Sequence, residues 1–383
     1  MVTDVLVFVD SVWHLVTIVL VFGFGVLLAI AQRGVFGVAQ KRALFLYAWH
    51  TAFCIFYFWY SLSNVADSTN YYLFSISEDA SLTFGTQGVY LLTSLFSVGL
   101  GMSYGGVFLV YNLFGYVGML AFGSALQQVL KTSGRTARRL AFFCLLLPGL
   151  SFWSGSIGKD ALAFMAAGLS VWAAMNLGRR YPAFVIASLC MLLVRPHMAG
   201  ILLLAFAVAL VFASRLGLLR KSVLTLIAVP LAVIAATYGA EFAGLGDVST
   251  LGDVDEYFSL RQSYNLEGGS SVDIASLSMP ARLFTFLFRP LFFDASGLLG
   301  VAVSFENLFQ LLLMAIAIAL RFLGRKSRLD GFSFWFCALF AAASLFVLAN
   351  TTANLGIAMR QKWMFLPMLM MLAFSYLGKG KRP

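Results

Sequence analysis

The sequence predicts an all-α fold: a polytopic bundle of membrane-spanning helices. Three observations carry that expectation. Hydrophobic residues make up 61% of the 383, charged residues only 11%, and mean hydropathy is +0.90. Soluble domains hold about 45–50% apolar and about 25% charged residues, so a soluble enzyme, a disordered tail and a disulfide scaffold are excluded. Apolar runs near the ~20 residues that cross a bilayer recur along the whole chain. In lipid each backbone polar group must be satisfied internally, which makes the helix the open choice for such runs. Length alone suggests two or three soluble domains, but the apolar excess argues for one transmembrane domain over 1–383.

The candidate spans are 12–31, 43–61, 104–130, 140–154, 160–177, 181–194, 198–214, 222–240, 302–320, 331–349 and 361–377, about eleven in all. The first has no basic stretch before it and is followed by Arg33, so it reads as a retained span and not a cleaved signal. The segment 88–101 is apolar but interrupted by Gly88, Gly99 and Gly101, which predicts a re-entrant or interfacial piece. The span 140–154 is short, and 181–194 with 198–214 form a hairpin turning at Arg195-Pro196-His197, where proline stops the helix. Pro280 to Pro290 predicts a short interfacial helix near 281–290, with Phe284, Phe286, Phe288, Phe292 and Phe293 among headgroups. Arg282 and Arg289 are seven apart and share one face of it. Cys54, Cys144, Cys190 and Cys337 all fall in apolar runs, with spacing that suits neither a zinc site nor a loop disulfide.

The net charge of +10 reads as topology, with no nucleic-acid partner. With the N-terminus outside and the C-terminus inside, the loops 32–42, 131–139, 178–180, 215–221, 321–330 and 378–383 face the cytoplasm. They hold 19 of the 26 Lys and Arg but one of the 16 acids, Asp330. Lys and Arg in short loops resist translocation, so this asymmetry sets the orientation. Two larger loops then lie outside, 62–87 and 241–301, the second with seven acids between Glu241 and Asp273.

Seven basic residues break the rule: Lys159, Arg195, Arg261, Arg282, Arg289, Arg360 and Lys362. Ionisable groups held at a membrane need partners and mark functional sites by default. Lys159 starts the span 160–177 after Ser156 and Gly158. A cation opposes the dipole there, which an intervening anion relieves; the alternative is a lysine that pairs with Asp160 or reaches water. The segment is no Walker loop, because Trp153 stands where that motif needs glycine. An arginine fork at 195 suits phosphate, and His197 is an acid, a base or a structural donor. Arg360, with Asn350 and Asn354, enters an apolar bundle; two residues apart on a helix, Arg360 is expected inward and Lys362 outward towards water. Asp67 opens a segment with Tyr71 and Tyr72, placing a carboxylate beside aromatics as a general base requires, unless it only closes a local turn. Glu78-Asp79 are weaker candidates, Glu306 is a further acid near a span end, and Asp253-Val-Asp255 is a chance DxD in an acidic loop.

Cations beside lipid suit a phosphate or diphosphate head, and Trp153, Tyr71, Tyr72 and Asn354 suit a sugar. The reaction this suggests is transfer of a glycosyl group from a polyprenyl diphosphate to an acceptor hydroxyl. Asp67, His197 and Glu306 are then the catalytic candidates, and Lys159, Arg195, Arg360, Arg289 and Arg282 hold the diphosphate.

The segments Asp67–Tyr72, Phe152–Asp160, Arg195-Pro196-His197 and Asn354–Lys362 resemble the bacterial Wzy/EpsG-type polysaccharide polymerases and related multi-span glycosyltransferases. The resemblance implies transfer of a growing glycan from undecaprenyl diphosphate to a lipid-linked repeat unit, at the periplasmic face of the bacterial inner membrane. It implies no cofactor and no metal. The partners are the lipid-linked oligosaccharide, membrane lipid and a chain-length regulator. The 241–301 loop departs from many such polymerases in carrying three Arg and no His. Two alternatives stay open: a GT-C transferase using a polyprenyl-monophosphate sugar, with Asp67 or Glu78-Asp79 as base, and a lipid-linked sugar flippase. A flippase shows internal repeats and mid-span charges, and neither is evident here.

Overall fold

The computed structural model describes residues 5–77, 83–213, 217–243, 270–295 and 297–378. The secondary structure there is helical, with one isolated bridge between Ser271 and Asn354. In chain order the helices are α1 (Val12–Ala31), α2 (Gln40–Ser63), α3 (Asp67–Ile76), α4 (Thr86–Ser97), α5 (Tyr104–Val129), α6 (Arg135–Leu145), α7 (Pro148–Ser154) and α8 (Lys159–Ala174). There follow α9 (Leu177–Val194), α10 (Pro196–Ala213), α11 (Leu218–Ala243), α12 (Met279–Phe288), α13 (Gly297–Phe322), α14 (Gly331–Thr351), α15 (Leu355–Gln361) and α16 (Leu366–Leu377). Seven of them, α1, α2, α5, α9, α10, α13 and α14, are long and apolar enough to cross a membrane. The protein is an all-α, multi-pass membrane bundle.

Two expected spans are broken, each at a proline. The run 140–154 divides into α6 and α7, because Pro148 at the head of α7 lacks an N–H and biases the residue before it away from helix. The run 361–377 becomes α15, a 3₁₀ turn over Lys362–Met364 and the 12-residue α16, with Pro367 in its first turn. The interrupted segment 88–101 forms α4, whose 12 residues reach about 18 Å, short of the ~30 Å hydrocarbon core. The short helix expected near 281–290 is α12, which starts two residues earlier. Of the five phenylalanines expected among headgroups, Phe284, Phe292 and Phe293 are exposed and Phe288 is half-buried, but Phe286 is buried against Phe365, with ring centroids 6.1 Å apart.

The chain forms two compact units. The first comprises residues 1–127, 139–173 and 178–195. Its core is α5. Between helices in lipid the driving force is close packing, which small residues permit. A Cβ on Gly168 of α8 would stand 2.3 Å from the Gly118 carbonyl of α5, and one on Gly115 would stand 2.1 Å from the Ser154 carbonyl of α7. Tyr116 of α5 donates to the Ala43 carbonyl of α2 at 2.9 Å. At one end of this unit Phe36, Ser124, Trp172 and Arg180 meet: the tilted rings of Trp172 and Phe36 have centroids 4.9 Å apart, with the Arg180 guanidinium 4.2 Å from the Trp172 ring. The 16 residues of α8 carry the chain about 24 Å from there to the other end, where Lys159 stands.

The second unit comprises 128–138, 174–177 and 196–383. Here α10 packs on α11 and α14, with Phe206 against Phe332 and Phe336. The Asp330 carboxylate caps α14 by accepting from the N–H groups of Phe332 and Ser333. Beside it the buried Arg328 donates to Thr132 and to Ser133 Oγ, and its backbone N–H bonds the Ser375 carbonyl. The basic loops 131–139 and 321–330 thus meet the end of α16 at one end of this unit. At the far end of α14 lie Asn350, Asn354 and Arg282.

Candidate functional site

In the first unit four elements converge on one group of polar side chains. Gly85 has φ +78°, a conformation glycine adopts without strain, and its N–H donates to the Leu193 carbonyl at 2.7 Å. That bond sets the start of α4 on the end of α9, beside Arg195. At the start of α8, Lys159 Nζ donates to Thr86 Oγ1 of α4 at 2.7 Å. Arg195 Nη2 bonds Asp160 Oδ1 at 3.3 Å, with the two side chains 12% and 11% exposed. The Arg195 Nε and the Gln87 Oε1 are buried and without a protein partner. Asp160 lies in the first turn of α8, where a carboxylate is favoured by the dipole.

The segment after α2 closes on the same place. Asp67 begins α3 and is exposed; Tyr71, one turn on, is buried. The Tyr71 ring covers Gly158, where a Cβ would stand 3.2 Å from its Cε2, so Tyr71 sits next to Lys159. Tyr71 also packs on Tyr90 of α4 at 5.7 Å between centroids. Burial raises the Tyr90 phenol, and the nearby Asp67 carboxylate pushes it the same way. The structure therefore brings together Asp67, Tyr71, Lys159 and Arg195 from the expected set, and adds Thr86, Gln87 and Asp160. Tyr72 turns inward: its hydroxyl donates to the Met102 carbonyl at 3.0 Å, and burial pushes it up to about 12. Trp153 of α7 packs edge-on to its neighbour Phe152 and to Tyr57 of α2.

The remaining expected residues lie in the second unit, and their contacts there are specific. Arg282 donates from three nitrogens to the Leu277 and Ala275 carbonyls and to Asn350 Oδ1, each at 3.0 Å, and so clips the segment before α12 onto α14. Arg289 grips Asp294 with two nitrogens, Nε at 2.9 Å from Oδ2 and Nη2 on Oδ1. This hydrogen-bonded pair holds the Asp294 carboxyl below the ordinary carboxylate range and the Arg289 guanidinium above its own. Asn354 caps α15, accepting from the N–H groups of Gly356 and Ile357 at 2.9 and 3.2 Å. His197 is half-buried in the first turn of α10, and Glu306 is 5% exposed in α13.

One expectation is reversed. Lys362 does not reach for water: it is 1% exposed, and Arg360 is the half-buried residue of the two. The helix breaks into a 3₁₀ turn at Lys362, which rotates that side chain into the bundle. A second polar group also escaped the sequence reading. His50 of α2, fully buried, bonds Asn112 of α5 through Nδ1 and Ser154 Oγ of α7 through Nε2 at 2.9 Å. Asn112 continues to Thr51 Oγ1 at 2.9 Å. The available signal was a histidine and an asparagine within apolar runs. Glu78, Asp79, Asp253, Asp255 and Arg261 lie outside the described residues.

No protein-family model, no curated protein and no solved structure matches the chain.

Proposed function

We propose that this chain is a membrane glycosyltransferase that lengthens a lipid-linked oligosaccharide, taking its donor from a polyprenyl diphosphate such as undecaprenyl diphosphate. The observation that supports this reading is the pairing of Arg195 with Asp160 and of Lys159 with Thr86 at the head of α8, with Asp67 and Tyr71 alongside. Two cations at the head of a helix suit a dianionic leaving group. The acceptor hydroxyl attacks the anomeric carbon as the carboxylate of Asp67 takes its proton. The bond from that carbon to the diphosphate oxygen breaks, and the electron pair leaves with the diphosphate. Lys159 and Arg195 stabilise the charge that develops there, the electrostatic contribution that is commonly the largest in such a step. The donor bond is already activated, so the reaction proceeds without nucleotide. The matching compartment is the periplasmic face of a bacterial inner membrane, in surface polysaccharide synthesis.

A second reading, transfer of one sugar from a polyprenyl monophosphate, is favoured by the exposed position of Asp67 directly after α2. Purified protein in proteoliposomes with diphosphate-linked repeat units separates these readings. Product ladders without nucleotide support the polymerase, and Asp67→Asn should remove them while donor binding persists. Single-sugar products that require the monophosphate lipid support the second reading. Translocation without change in glycan length overturns both.

A further inference from the structure

Lys362 is the most deeply buried cation among the described residues, and its surroundings are built for it. Its Nζ donates to three neutral oxygens: Asn307 Oδ1 at 2.5 Å, Gln310 Oε1 at 2.9 Å and the Leu287 carbonyl at 3.3 Å. An ammonium carries three donors, so its hydrogen-bonding capacity is met. Gln310 is 1% exposed and passes the interaction on, its Nε2 donating to Glu306 Oε1 at 3.2 Å. A carboxylate and an ammonium are thereby joined through one amide, inside α13 and the 3₁₀ turn. Asn307, 0% exposed, uses its other end as well: Nδ2 donates to the Pro290 carbonyl at 2.8 Å.

Two carbonyls of one turn are thus held from beneath, Leu287 by Lys362 and Pro290 by Asn307. Between them stands Arg289, and just beyond it Phe293, 78% exposed. Burying an ammonium is costly even when every hydrogen bond is made, and an apolar side chain of similar length fills such space without that cost. What the apolar side chain lacks is a donor for the Leu287 carbonyl at the end of α12. We propose that Lys362 is a positioning residue: its caged ammonium fixes the turn 287–290 and so sets how Arg289 and Phe293 meet an anionic lipid-linked ligand. The ligand clause rests on the proposed function; the fixing of the turn does not.

The test uses the full chain in lipid nanodiscs, with a nitroxide on Phe293→Cys and Cys190→Ser as background, since the other three cysteines are buried. The label is restrained in the parent and reorients roughly threefold faster in Lys362→Met. Asn307→Leu, which releases Pro290 but keeps the lysine, loosens it as well, and Arg360→Gln leaves it unchanged. In elongation assays Lys362→Met raises KM for the lipid-linked acceptor about tenfold with kcat within about twofold. If the parent elongates nothing, the proposed function fails while the label still decides the positioning. A label equally restrained in Lys362→Met and Asn307→Leu overturns the proposal. So does failure of both variants to fold, which makes the group a determinant of the whole bundle.

Discussion

Arg195 and Asp160 offer a test in which stability and activity separate. At the 3.3 Å between Nη2 and Oδ1, two unit charges attract by about 5 kcal/mol at an effective dielectric of about 20. Desolvation offsets much of this, because both side chains are close to nine-tenths buried. Removing one partner leaves the other uncompensated, and the two removals differ. In Arg195→Met the buried carboxylate of Asp160 loses its counter-charge, at about 3 kcal/mol. In Asp160→Asn the longer guanidinium relaxes towards water, at about 1.5 kcal/mol. The double variant strands no charge and should cost about 2 kcal/mol, well short of the two single costs together, a coupling of about 2.5 kcal/mol. Unfolding by denaturant in mixed micelles measures all three. Elongation assays on the same samples then ask what the arginine is for. The double variant should recover the fold and still make no long glycan, because a diphosphate needs the guanidinium and a methionine offers no donor. Return of long product in the double variant would refute the assignment, leaving Arg195 as a structural counter-ion. Additive single costs would refute the pairing itself.

Three further outcomes follow from the packing and the turn after α12. Gly158 has φ +153° and a Cβ there meets Tyr71 Cε2 at 3.2 Å, so Gly158→Ala should cost about 1–3 kcal/mol and lower turnover by displacing Tyr71 from beside Lys159; paired unfolding and elongation assays check it. Gly168→Ala drives a methyl to 2.3 Å from the Gly118 carbonyl and should destabilise the first unit by about 2–3 kcal/mol, with donor affinity retained in whatever protein folds. The Arg289 pair depresses the folded-state value of Asp294, so its stabilisation is complete above the unfolded carboxylate range and is lost as pH falls through the depressed value. Wild type and Asp294→Asn should therefore differ most above pH about 5 and converge well below about 4; unfolding curves across that range show whether they do.

The membrane bundle was legible because burial in lipid leaves a coarse mark: long apolar runs interrupted by charge. The seven long apolar helices coincide with expected spans for that reason. The breaks were less legible. Pro148 and Pro367 stand inside runs that hydropathy reads as continuous, and only the backbone geometry of proline divides them. Part of the polar set was legible as well, since Lys159 and Arg195 stand out against the charge rule wherever they sit in space. Thr86 and Gln87 carried no such mark: a neutral residue in a loop becomes notable only once Gly85 ties that loop to Leu193.

The exchange between Arg360 and Lys362 shows where one-dimensional reasoning fails. Face assignment from a two-residue offset assumes an unbroken helix. The turn at Lys362–Met364 removes that assumption, and the chemistry of the acceptors then decides which cation goes inside. Asn307, Gln310 and Leu287 present single carbonyl oxygens around a point, which suits a compact ammonium with three donors. A guanidinium is a planar fork with five donors and would leave several unmet in the same space. Asn307 and Gln310 are three apart on α13, so one face of a span supplies two of the acceptors, and Glu306 is the residue directly before them. The pattern Glu-Asn-x-x-Gln within an apolar run thus reads in hindsight as the wall of a cation seat, with the lysine arriving from a segment more than fifty residues later. The same logic applies to His50 and Asn112: each is unremarkable alone, and the hydrogen bond between them explains why lipid-spanning helices tolerate both.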